Sequence, residues 1–79
     1  MKTALQHADR IMAVKPRQWI MCCEAVEVVN TCEGGMVKIA VGDRVRCQAN
    51  TSLSFMGVTE GAVSIAFGLS KASAFEVVK

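Results

Sequence analysis

Any chemistry in this chain must come from four cysteines, one histidine, seven carboxylates and nine lysines and arginines spread over 79 residues. The thiols Cys22, Cys23, Cys32 and Cys47 are the first candidates, as metal ligands, disulfide partners or nucleophiles. No Cys-x-x-Cys pair occurs, and His7 lies far along the chain from the cysteines, so the spacing of a structural zinc site is missing. An even number of cysteines invites disulfides, but an extended chain turns the adjacent Cys22 and Cys23 to opposite faces, where each would need a partner on a different side. The reading that needs no further assumption is reduced thiols, with Cys22 or Cys23, Cys32 and Cys47 acting as small buried hydrophobes. No cofactor is called for. Acid–base catalysis has little to work with: His7 falls on the polar side of its segment, and Glu24 and Glu27, three apart on an extended chain, face opposite ways. Gly34-Gly35 lacks the pattern of a phosphate loop and reads as a hairpin turn. The chain is therefore expected not to be an enzyme.

Basic side chains make a better constellation. Arg44 and Arg46 stand two apart, so on a strand they share a face while Val45 and Cys47 take the other. Lys38, Arg17 and Lys15, with Trp19 as a stacking surface, could complete a face for RNA or single-stranded DNA. Two features weigh against it: the net charge is only +2, low for affinity drawn from phosphates, and Phe55, Phe67 and Phe75 alternate in core register. Charge is also unevenly distributed. Residues 1–17 carry Lys2, Arg10, Lys15 and Arg17 against Asp9, whereas residues 18–43 carry Glu24, Glu27, Glu33 and Asp43 against Lys38. Two copies could dock basic segment on acidic segment, an attraction that salt would weaken.

The elements that must hold these residues follow from periodicity. Ala4, Leu5, Ala8, Ile11 and Met12 form one helical stripe, with Thr3 as N-cap and Pro16 as stop, which predicts an amphipathic helix over residues 3–15. From residue 17 to residue 79 the chain is β-rich. Val37-Ile39-Val41, Val45-Cys47 and Val63-Ile65-Phe67 alternate with more polar residues, and turn signals recur every eight residues or so. Residues 17–32 fit either a second helix or a strand, and Ile20, Val26, Val28, Val29 and Thr31 favour one long, bulged strand. The expected fold is a single α+β domain: the helix, then five or six short antiparallel strands in a curled sheet or small barrel, with the helix covering a sheet face or an open end.

The run Val37 to Val45, an apolar strand into Gly42-Asp43 and out again, followed by Gly57-Val58 and Val63-Ser64-Ile65, is similar to the carbon-storage-regulator family of RNA-binding dimers over about half the chain. That resemblance implies a strand-built dimer. The family's RNA-contacting arginines, on its first and last strands, have no counterpart in Glu27-Val28-Val29 or Ala74-Phe75-Glu76, the stretch from Arg46 to Gly57 is longer, and the N-terminal segment is foreign to the family. The hexapeptide Val41 to Arg46 also resembles small SH3-like barrels.

Composition bounds the rest. Apolar residues make up 52% of the chain and aromatics only 5%, so the core is built from small aliphatics. A single core at this length supplies on the order of 3–5 kcal/mol, and domains of this size often add disulfides, metal or a second copy. With the first two disfavoured, a homodimer is expected, with Trp19, Ile20, Met21, Phe75 and Val77 as interface candidates. The opening residues are expected to hold no secretory leader, since Gln6, His7, Asp9 and Arg10 break the apolar run, and reduced thiols suit the cytoplasm. No membrane span is expected. The function expected first is a non-catalytic protein-interaction module, a regulator or inhibitor that docks on a partner protein or assembles with itself. The alternative is nucleic-acid binding through Arg17, Lys38, Arg44 and Arg46, and a third reading is a small-molecule-binding or enzymatic oligomer.

Overall fold

The computed structural model describes residues 10–51 and 53–78. Seven strands make the fold: β1 Trp19–Cys22, β2 Val26–Asn30, β3 Met36–Ile39, β4 Arg44–Asn50, β5 Ser54–Thr59, β6 Ser64–Gly68 and β7 Phe75–Val77, with a 3₁₀ segment, Leu69–Ala74, between the last two. They form one sheet in the order β3-β2-β6-β5-β4-β1-β7, and every neighbouring pair is antiparallel. The sheet curls into a half-barrel.

The class is therefore mostly β, and the expected α+β fold with an N-terminal amphipathic helix is corrected. Among the described residues helix survives as one turn at 10–12, while the stretch 3–9, with Thr3 and His7, lies outside them. Of that stripe, Ala4, Leu5 and Ala8 lie outside the described residues, while Ile11 and Met12 are buried in the core all the same, joined by Val14 beyond it. What holds them is a side chain rather than a helix. Asn50 Nδ2 donates to the carbonyls of Met12 at 2.7 Å and Val14 at 2.5 Å, so backbone groups that a helix would satisfy internally are satisfied by β4 instead.

Two further expectations change. Residues 17–32 are extended, but as β1 and β2 separated at residues 23–25 rather than as one long strand, and the two are not neighbours in the sheet. The link across Gly42-Asp43 is likewise not a hairpin, because β3 and β4 lie far apart in the sheet order. The link crosses to β1: Cys22 N–H donates to the Asp43 carbonyl at 2.8 Å, and Gly42 N–H donates to the Cys22 carbonyl at 2.8 Å.

Inner-facing residues of the strands make one core, with Ile20, Cys22, Val28, Ile39, Val45, Cys47, Phe55, Ile65, Phe67 and Phe75 all buried. Phe55 and Phe67 stack with centroids 4.8 Å apart, and Phe67 and Phe75 at 4.6 Å. The second contact joins β6 to the edge strand β7 across the inside of the curl. Gly57 makes room beneath this stack: a Cβ there would stand 2.6 Å from the Arg46 carbonyl oxygen and 2.8 Å from both the Phe55 ring and Val45. Gly57→Ala should cost about 1–3 kcal/mol through overpacking, and Phe67→Ala about 3–5 kcal/mol, enough to unfold most of the population of so small a domain. Urea titrations followed by far-UV circular dichroism give both values; an alanine at Gly57 within about 0.5 kcal/mol of the native chain would contradict the packing described.

Candidate functional site: two surfaces on the sheet

The basic residues do not form one face. Arg44, Arg46 and Gln48 are exposed on the outer face of β4, alternating with the buried Val45 and Cys47. Lys38 sits on β3, which is no neighbour of β4, and it meets Arg44 only across the curl. There the two line a depression of about 270 Å³ that also contains Asp43 and Glu60. Arg44 is committed within it: its Nε donates to Glu60 Oε1 at 3.0 Å, the only ion pair among the described residues. Both side chains are about half exposed, so the pair contributes little to stability, but it cancels the local charge.

Arg17 and Arg46 come together elsewhere. Arg46 is the cross-strand partner of Trp19, and Pro16, Arg17, Trp19, Arg46, Cys47 and Gln48 line a shallow depression of about 430 Å³. Arg17 is positioned by a turn in which Gln18 N–H donates to the Lys15 carbonyl at 3.1 Å, with Pro16 second and Arg17 third at φ +78°. Those are the positions and the φ of a type II turn, whose third place favours glycine. Arg17 N–H is tied to the Cys47 carbonyl at 2.9 Å, and Cys47 N–H to the Gln18 carbonyl at 2.7 Å. Pro16, expected to stop one helix or open another, instead takes the second place of this turn, and a proline followed by two polar residues is the signal that marks it.

The second surface is the β3 edge of the sheet. Asn30 N–H donates to the Gly35 carbonyl at 2.9 Å, so by alternation Val37 and Ile39 turn their peptide groups to β2, and Met36, Lys38 and Ala40 turn theirs outward. Ala40 is closed on itself, its N–H donating to Asp43 Oδ2 at 3.2 Å and its carbonyl accepting from Asp43 N–H at 3.1 Å. Met36 and Lys38 are left as the open groups of the edge. The 270 Å³ depression abuts it, because Val37, Lys38 and Ile39 all line it and consecutive strand residues can do so only edge-on. Met36 and Val41 beside it are 56% and 65% exposed. From Met36 an apolar row continues across the outer face in register, through Val29, Ala66 and Met56.

Of the residues expected at an interface, Ile20 and Phe75 are fully buried in the core, Trp19 and Met21 are half-buried on the outer face, and Val77 is exposed on β7. The cysteines divide in the same way. Cys22 and Cys47 are buried, while Cys23 and Cys32 are exposed, which corrects the placement of Cys32 among buried hydrophobes. The Cys22 thiol donates to the Glu24 carbonyl at 3.0 Å. Burial pushes the Cys22 and Cys47 thiols up; at Cys22 that hydrogen bond works against it, and the Asp43 and Glu24 carboxylates add to the rise. Cys23 is also pushed up, by desolvation first and by the Glu76 carboxylate second. No cluster of metal-ligating side chains occurs among the described residues, and no helix among them is long and apolar enough to cross a membrane. No family model, curated protein or solved structure matches the chain.

Two outcomes are expected of the thiols. A disulfide exchange reagent should modify Cys23 and Cys32 in the folded protein, and Cys22 and Cys47 only on unfolding. Stability should be full below the ordinary thiol value of 9.0 and fall as the pH rises above it, because unfolded thiols ionise there while the folded ones keep their protons. Melting temperatures measured from about pH 8 to 10 should therefore decline less steeply in Cys47→Ala than in the native chain; equal slopes would rule out this origin.

Proposed function

We propose that the chain is a non-catalytic protein-interaction module that assembles through the open edge of β3, with β3 of a second copy as its first partner. The observation that carries this reading is the self-complementarity of the edge. With a two-fold axis at Val37, Met36 lies opposite the second copy's Lys38, and these are the residues whose peptide groups point outward, so they meet as hydrogen-bonded pairs. No lysine then stands opposite a lysine, a pairing that would disfavour assembly.

Three features support the reading. Exposed Met36 and the row Val29-Ala66-Met56 would run on from one sheet into the next. The adjoining depression, at about 270 Å³, is smaller than the roughly 300–1,000 Å³ typical of small-molecule sites and offers room for a side chain. The Cys22, Cys23 and Cys47 thiols are shifted up rather than down, the opposite of an activated nucleophile. A thin core gains from such an extension as well, since free strand edges and small size are both relieved by pairing.

Sedimentation velocity at micromolar concentrations tests the assignment. The native chain should sediment as a dimer and Lys38→Pro as a monomer, because proline removes an outward N–H that no bond within the sheet uses. Lys38→Ala should remain dimeric. A native chain that is monomeric at about 100 µM, far above the Kd expected of a stable pairing, or a proline variant that stays dimeric with intact circular dichroism, would overturn the reading.

A further inference from the structure

We infer that the depression beside Trp19 binds single-stranded nucleic acid, one base stacking on the indole and the flanking phosphates meeting Arg17 and Arg46. This site is separate from the β3 edge and does not depend on it. Three independent observations meet there. Trp19 is half-buried on the outer face with Arg46 as its cross-strand partner, and Gln48 lies beside them. An indole with an arginine opposite it on the neighbouring strand and an amide at the same rim offers a flat surface, charge and hydrogen bonds together. Next, the cations here are uncommitted. The one ion pair among the described residues belongs to Arg44 and Glu60, so Arg17 and Arg46, with Lys15 opening the same turn, have no carboxylate partner among those residues. The low net charge of +2 hides this, because Asp43 and Glu60 gather with Lys38 and Arg44 in the other depression.

The third observation is conformational. Arg17 occupies φ +78°, a region that costs a non-glycine residue and persists where its surroundings hold it. Glycine would form the same turn without that cost. A strained arginine at the rim of a depression that contains a second arginine and the chain's only tryptophan has a use there, and phosphate contact is that use. At about 430 Å³ and open to solvent, the site has room for a nucleotide with its backbone running past. An acidic peptide without aromatic side chains would satisfy the cations but has no ring to stack on the indole.

Trp19 is the only tryptophan, so its fluorescence reads this site directly. Titration with oligo(dT) or oligo(U) of about twelve nucleotides at low salt should quench it, and the affinity should fall with salt with a log–log slope near −1.4, about 0.7 for each of Arg17 and Arg46. Arg17→Gly should leave the melting temperature unchanged or higher, yet reduce that slope by about 0.7. Trp19→Leu, followed by anisotropy of a labelled oligonucleotide, should weaken binding roughly five- to hundredfold. Oligoglutamate of equal length should not quench. The proposal is overturned by absence of quenching at low salt, by equal quenching with oligoglutamate, or by an Arg17→Gly chain that binds with the native salt slope. Lys38→Pro, which removes the β3 edge, should bind the oligonucleotide as the native chain does at the Trp19 site, so a failure of either assignment is seen without the other.

Discussion

The fold depends on one contact, the meeting of Phe67 on β6 with Phe75 on β7. In the order of the sheet these strands stand well apart, with β5, β4 and β1 between them, yet their rings are 4.6 Å from centroid to centroid and nearly parallel. Only a strongly curled sheet can bring them together. A flat sheet of these strands would leave its inner row of small aliphatics facing water on one side. The three stacked rings fill the middle of the curl, where valine, isoleucine and cysteine alone would leave space. Gly57 belongs to the same arrangement, since the absence of its side chain lets β5 pass beneath the Phe55 ring.

Closure of the curl decides what lies on the outside. It brings the end of β1 against the link after β3, where Gly42 and Asp43 exchange hydrogen bonds with Cys22, and it leaves β3 open along Met36 and Lys38. The link that crosses to β1 also separates the charges. Asp43 and Glu60 gather beside Lys38 and Arg44, while Arg17 and Arg46, around Trp19, have no ion-pair partner among the described residues. A molecule with little net charge thus carries a cancelled region and an uncancelled one. The difference lies in topology rather than composition, because Arg44 and Arg46 are two residues apart on the same strand and have opposite circumstances.

Much of this was legible in the sequence. The alternation of Val45-Cys47 and Val63-Ile65-Phe67 assigns their faces correctly, as does the core register of Phe55, Phe67 and Phe75, because period-two burial is a local property of a strand. The N-terminal stripe was misleading for a physical reason: its Ile11 and Met12 are indeed buried, but a short helix is marginal by itself, and Asn50 supplies from afar the bonds that decide the backbone there. No glycine or proline marks the break at residues 23–25, since it arises where β1 runs against the 40–43 link. The site around Trp19 was half legible. Its residues could be named, but the partition of Arg44 from Arg46 depends on Glu60, which the sequence places fourteen residues or more away from both.

The pairing of β1 with β7, Ile20 opposite Val77, has a consequence for how the molecule is made. The hairpins β2–β3, β4–β5 and β5–β6 can form as soon as they are synthesised, whereas β1 must wait for nearly the whole of the chain before its outer side is covered. Loops that long close slowly, and pairings so distant in sequence delay the rate-limiting step of folding. On the ribosome, Phe55 and Phe67 would face each other before the third ring existed. The final strand is therefore also the last part of the core to arrive, and until it does the nascent chain exposes an apolar surface that chaperones are built to recognise.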